Sequence, residues 1–148
     1  MIWKPDVSVA AMVERQGKFL LVEEETSDGP RFNQPAGHWE AEETLAQGVI
    51  RETWEETAHR FQPDFLLGVY RWQHPTKKTV YLRFAFGGTV DGHEPTQPLD
   101  QGIIRAAWFT PEEIRACGDR HRSPLVLRCV EDYLMGKRFP LELITHFG

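Results

Sequence analysis

The chain has 148 residues, 41% of them hydrophobic and 26% charged, and carries a formal net charge of −5 at neutral pH. That length suits one domain, residues 1–148, with a single real core, and the composition is that of an ordinary globular protein. The acidic balance argues against general binding of nucleic-acid polymers, which needs phosphate-neutralising Lys and Arg, and no apolar run approaches the ~18 residues of a membrane span.

In chain order, Met1 to Asp6 shows no signal-peptide pattern, which points to a cytoplasmic protein. Val7, Val9, Ala11 and Val13, then Phe19 to Val22, read as two strands joined at Gln16-Gly17. A polar loop from Thr26 to Arg31 leads into Phe32-Asn33-Gln34-Pro35-Ala36-Gly37, where Pro and Gly predict irregular backbone. A helix is predicted from Thr44 to Thr57. Strands are expected over Phe65 to Trp72 and Val80 to Phe86, followed by a turn-rich loop from Gly87 to Gly102. Ile103 to Phe109 reads as a buried strand. Pro111 opens a short helix with Thr110 as N-cap and Glu113 as its capping-box partner. A last helix runs from Pro124 to about Met135 and stops at Gly136. Cys117 and Cys129 lack zinc-type partners and read as reduced, mostly buried thiols. The order of elements predicts an α/β/α sandwich with a mixed sheet between helices.

The chemistry is concentrated in the helix from Thr44 to Thr57. At about 100° per residue, Glu52, Glu55 and Glu56 fall within an arc of roughly 100°, with Ala46, Val49, Ile50, Thr53 and Trp54 expected on the far, sheet-packing side. Like charges at i,i+3 and i,i+4 destabilise a helix by ~0.2–0.5 kcal/mol per pair. A hard cation reverses that sign, because Mg²⁺ prefers carboxylate oxygens and keeps waters for phosphates. A solvated acidic surface is the plainer account of the helix alone; the spacing upstream decides against it. Gly37 is followed by five residues and Glu43, then seven residues and Arg51-Glu52, then two residues and Glu55-Glu56. Such a frame arises by chance in roughly one chain in 10⁵ at average residue usage.

This spacing resembles the Nudix box, G-x5-E-x7-R-E-u-x-E-E-x-G-u, where u is a bulky aliphatic residue. Thr53, Ala58 and His59 depart from it at the first aliphatic, the last glycine and the final aliphatic. Ala58 would cost about 1 kcal/mol in a left-handed conformation. Outside the box, Asn33-Gln34-Pro35-Ala36-Gly37-His38, Pro95-Thr96-Gln97-Pro98, Arg122-Ser123-Pro124-Leu125 and Phe139-Pro140-Leu141-Glu142 resemble the NudJ-type phosphatases, so that the similarity covers nearly the whole chain.

The resemblance implies a Nudix-like fold and a Mg²⁺-dependent hydrolase, with Mn²⁺ as a substitute, acting on nucleoside tri- and diphosphates and on the pyrophosphate of the thiamine pyrimidine precursor. It implies Gly37, Glu52, Glu55 and Glu56 as metal ligands, Glu52 or Glu55 as catalytic acids with Glu52 assigned as base, and Arg51 and Glu43 as orienting groups. Arg31, Phe32, Trp39 and Asp100 are the candidate substrate contacts, Trp39 because it lies in the loop leading to the acids. Tyr70, Trp72, His74, Arg83, Lys77-Lys78 and the loop acid Glu94 are weaker candidates, and His38 reads most simply as a hydrogen-bonded loop histidine. Two other readings stay open. Pro75 lies near where ADP-ribose and nucleotide-sugar pyrophosphatases carry a proline, and the fold can serve a non-catalytic nucleotide sensor, although such proteins lose box acids that are all present here. Exposed apolar residues near the termini leave a homodimer open.

Overall fold

A computed structural model describes residues 1–148. Its elements are β1 (Asp6–Arg15), β2 (Lys18–Glu24), β3 (Arg31–Asn33), β4 (Ala36–His38), α1 (Leu45–Thr57), β5 (Arg60–Gln73), β6 (Val80–Asp91), β7 (Ile103–Phe109), α2 (Pro111–Ala116) and α3 (Leu125–Leu134). Single 3-10 turns at Gly118–Arg120 and Leu141–Leu143 complete them. The strands form one mixed, seven-stranded sheet in the order β3-β2-β1-β6-β5, with β4 added on β1 and β7 on β2. β1 and β6 run parallel from Asp6↔Tyr81 to Val13↔Gly88, and the neighbouring β5–β6 pair is antiparallel. The expected α/β class with a mixed sheet between helices is what the chain adopts.

Strand periodicity explains the two layers. Along β1, Ala10 and Met12 face one side, where they meet Leu21, Leu67, Ala85 and the α3 residues Cys129 and Val130. Val9, Ala11 and Val13 face the other and meet Leu20, Leu66, Phe86 and Val49 of α1. Each fully buried Val or Leu contributes roughly 1.5–3 kcal/mol relative to exposure, so both helices are held by cores built from alternate residues of the same strands. The β1–β2 turn needs left-handed backbone at both central residues, and Gln16 (φ 54°) and Gly17 (φ 79°) supply it.

Several boundaries differ from expectation. The Phe32 to Gly37 stretch contains β3 and β4, interrupted at Gln34-Pro35. β5 begins at Arg60 rather than Phe65, and β6 continues through Gly87 and Gly88 to Asp91, so the loop starts at Gly92. Gly87 reads as a turn residue by type; it sits in the strand because the Phe65 ring occupies the space that its Cβ would fill, 2.1 Å away. β7 is only half-buried, with Ile104 and Arg105 exposed, because it forms an edge beside β2. Both cysteines are free; Cys129 is buried and Cys117 half-buried. No helix is long and apolar enough to cross a membrane.

Candidate active site

α1 starts where its sequence says it should. The Thr44 hydroxyl accepts from the Gln47 N–H at 3.0 Å and the Gln47 side chain accepts from the Thr44 N–H at 2.9 Å, a reciprocal cap that satisfies two otherwise free donors. The helix ends at Ala58, which takes up the left-handed conformation (φ 55°) that glycine would adopt without strain. Ser8, Val9 and Ala10 of β1 pair with His38, Gly37 and Ala36 of β4, and this pairing holds β4 beside the acidic turns of α1.

The carboxylates do not all face away from the sheet. Glu52 and Glu56 are buried, at 9% and 7% exposure, along with Val49, Thr53 and Thr57, whereas Ile50 is exposed and Trp54 half-buried beneath Arg60. Glu56 lies seven positions after Val49 and therefore on the same helical stripe. Val49 meets the sheet core; Glu56 meets the break between β3 and β4, where its Oε1 accepts the Ala36 N–H at 3.0 Å. Gly37 adjoins Glu52 so closely that an added Cβ would lie 2.1 Å from the Glu52 Cδ, which is why no larger residue fits there.

Arg51 bridges the acids. Its Nε and Nη2 donate to the two oxygens of Glu43 at 3.0 and 2.8 Å, its Nη1 to Glu52 at 2.8 Å and Glu55 at 3.0 Å, and its Nη2 to the His38 carbonyl at 3.1 Å. The hydrogen bonds to Glu43 above all hold the guanidinium charged and Glu43 below the usual carboxylate range. Glu56 behaves differently. Burial pushes its carboxyl up to about 9, with the Glu52, Glu24 and Asp100 charges adding to the effect against the single bond from Ala36. Burial also raises Glu52, only partly offset by Arg51.

Two desolvated acids among further acids, beside a backbone carbonyl, form an oxygen donor set that suits a hard divalent cation. No three acidic, histidine or cysteine side chains converge as a ready-made cage, and Arg51 holds one oxygen each of Glu52 and Glu55.

These residues line a cavity of about 840 Å³ together with Arg31, Asp100, Glu24 and the β5–β6 residues Trp72, Tyr81 and Arg83. Asp100 is tied to the site through its N–H, which donates to the Glu55 carbonyl at 2.9 Å. Glu94 lies outside the lining, anchored instead by its N–H to the Ala58 carbonyl.

Two expected substrate contacts are misplaced. Phe32 is a core residue, 4% exposed, with its ring edge-on to Phe109 and Arg120 above it. Trp39 faces away from the acids: its indole N–H donates to the Glu43 carbonyl at 2.7 Å, and it borders a smaller apolar cavity of about 260 Å³ with Leu141 and Ile144. Tyr70 is engaged with Asp132 under α3. Pro75 is exposed in the β5–β6 turn and touches neither cavity. Tyr81 and Glu24 belong to the large cavity although nothing in their local sequence marks them, and Ser123 joins them from the Arg122-Ser123-Pro124-Leu125 stretch. The pairing Trp72↔Tyr81 and the bond from Arg122 to Glu24 at 2.7 Å bring them there.

The NUDIX domain profile matches residues 3–129. Phosphatase NudJ of Escherichia coli strain K12 is 43% identical over 147 residues, covering 99% of this chain and 95% of its own length. A NUDIX hydrolase from Nitrosomonas europaea superimposes with a TM-score of 0.95 at 48% identity, covering 97% of this chain and 98% of that one. The MutT NUDIX hydrolase from Burkholderia pseudomallei, at 17% identity, shares the fold alone, with a TM-score of 0.71 over 88% of this chain and 98% of that one.

Proposed function

The chain belongs to the Nudix family and is a pyrophosphohydrolase acting on small molecules, and from that premise we propose that it cleaves nucleoside tri- and diphosphates and small organic pyrophosphates of the thiamine pyrimidine precursor type. The observation that carries this reading is the pair Glu52 and Glu56, buried side by side next to Gly37 at the edge of a large polar cavity.

In this reading Glu52, Glu55, Glu56 and the Gly37 carbonyl are the residues that would hold Mg²⁺, or Mn²⁺ in its place. Such an ion would supply neutralisation of pyrophosphate oxygens and acidification of water. Glu52 serves as the base that accepts the proton of the attacking water. Arg51 is a positioning residue: one guanidinium fixes Glu52 and Glu55 and is itself clamped by Glu43. Asp100 and Arg31 contact the substrate from the cavity wall. Trp72 and Tyr81, stacked at 5.7 Å with 20° between their planes, take the role first assigned to Trp39 and Phe32. A ring resting on such a surface gains ~1–3 kcal/mol, which supports ring-bearing pyrophosphates as substrates.

Release of phosphate and pyrophosphate from nucleoside di- and triphosphates, ADP-ribose and thiamine-related pyrophosphates, with Mg²⁺ and with EDTA, tests the activity. Glu52→Gln is expected to lower turnover at least ~10²-fold, the scale of a lost acid–base group. Near-normal turnover in that variant overturns the assignment of the base.

A further inference from the structure

Arg83 is the least expected charge in the molecule. It lies in β6 at 5% exposure, yet takes part in none of the chain's ion pairs. Burying a guanidinium without a counter-charge is costly. Arg51, by comparison, is matched by Glu43, Glu52 and Glu55. Arg83 has only neutral partners: its Nη1 donates to Gln34 Oε1 at 2.9 Å and reaches Cys129 Sγ at 3.8 Å, and its Nη2 donates to Asn33 Oδ1 at 3.0 Å. Gln34 is itself fixed, its amide donating to the Val126 carbonyl at 2.8 Å. The cradle thus holds the guanidinium rigidly from one side without neutralising it.

The other side is open. Arg83 Nε has no protein acceptor and is not fully buried, and Arg83 lines the large cavity. Its place along that cavity follows from strand register. Arg83 pairs with Ser8, and Ser8 pairs with His38 beside Gly37, which puts Arg83 about 10 Å across the sheet from β4, whose Gly37 adjoins Glu52. Tyr81 is two residues further along the same face of β6, opposite Trp72. Acids, arginine and aromatic pair therefore follow one another around one cavity, the acids reaching it from the α1 face of the sheet and Arg83 and Tyr81 from the α3 face. A cleavable anhydride, the phosphate retained on the organic product and its ring succeed one another in the same order along a nucleoside diphosphate.

We propose that Arg83 is the specificity residue that binds the phosphate kept by the organic product, charge-assisted through its free N–H groups. This rests on the reading of the cavity as a pyrophosphate site, and the test separates the two. Arg83→Gln is expected to raise KM for a nucleoside diphosphate about 10- to 100-fold, the span of hydrogen bonds to a charged group, with kcat changed far less. Inhibition by the nucleoside monophosphate weakens in parallel, inhibition by inorganic phosphate does not, and Mn²⁺ binding followed by electron paramagnetic resonance is unaltered. Arg83→Lys recovers part of the loss. Unchanged KM and monophosphate inhibition in folded Arg83→Gln overturn the proposal. Independently of folding and turnover, titration of the natural chain with a nucleoside monophosphate in EDTA is expected to shift the Arg83 Nε–H resonance. A resonance that stays in place overturns the proposal even if the chain hydrolyses its substrates, and one that shifts supports it even if hydrolysis fails.

Discussion

Glu56 on α1 and Asp132 on α3 are buried to nearly the same depth, at 7% and 3% exposure, on opposite faces of the sheet. Folding moves them in opposite directions. Burial raises both, but at Asp132 the Tyr70 hydroxyl (2.7 Å), Lys137 ammonium (3.1 Å) and Arg128 guanidinium (3.1 Å) outweigh it and lower the carboxyl. At Glu56 one backbone N–H opposes burial and three neighbouring acids, and the carboxyl rises to about 9. Depth therefore does not decide a buried carboxylate's role; its partners do. Asp132 is electrostatically complete and ties α3 to β5, while Glu56 is left short of positive charge at the place where the cavity opens.

Substitutions at the two acids break this comparison most sharply. Glu56→Gln is expected to reduce hydrolysis at least ~10²-fold, the scale of losing a charge-stabilising group, while leaving the metal-free fold as stable or more so. Gly37→Ala, whose Cβ would lie 2.1 Å from the Glu52 carboxyl carbon, is expected to cost activity on the order of 10²-fold through misplacement alone, with the melting temperature read alongside to separate misfolding. Asp132→Asn behaves the other way. Steady-state rates survive at temperatures where the protein is folded, and denaturant titration shows a loss of about 1–3 kcal/mol for weakening buried charged hydrogen bonds.

The pH dependence of stability has opposite signs at the two sites. Glu56 is raised on folding, so in EDTA its contribution to stability declines as pH climbs from the ordinary glutamate pKa near ~4.3 toward about 9. Melting curves across that window should slope downward in EDTA and flatten with Mg²⁺ or in Glu56→Gln. Asp132 is lowered, so its contribution is full above the ordinary aspartate pKa and disappears only as acid titrates it below that value. The smallest expected effect is at the end of α1: Ala58→Gly removes the penalty of left-handed backbone at φ 55° and is expected to stabilise by roughly 0.5–1 kcal/mol in the same denaturant titration.

Local chemistry was legible and long-range placement was not. The Gln16-Gly17 turn, the Thr110 cap, the helix start near Thr44 and the spacing of Glu52, Glu55 and Glu56 depend on residues within a few positions of one another, and the elements form as read. The helical wheel located the acids but misjudged their surroundings, because β4 and the Pro35 break come up against the stripe that Glu56 shares with Val49. Phe32 and Trp39 were misread for the same reason: proximity along the chain to Gly37 says nothing about which face of the sheet a ring joins. Arg83 is a candidate by residue type, but its burial in the cavity wall, like the entry of Tyr81, comes through β-pairing across tens of residues, information that no short window of sequence contains.

The parallel register of β1 with β6 has a consequence for how this chain emerges from the ribosome. Val9 cannot meet Phe84 until the later strand has been synthesised, and the β1–β2 hairpin alone pairs only at its tip, Glu14↔Phe19 and Arg15↔Lys18. β4 can cover one edge of β1 early, at Ser8 to Ala10, but for much of translation the edge of β1 that β6 will occupy, from Asp6 to Val13, is thus an unsatisfied strand edge. Non-local pairing of this kind slows folding and exposes aggregation-prone edges, so refolding yield should fall steeply with protein concentration.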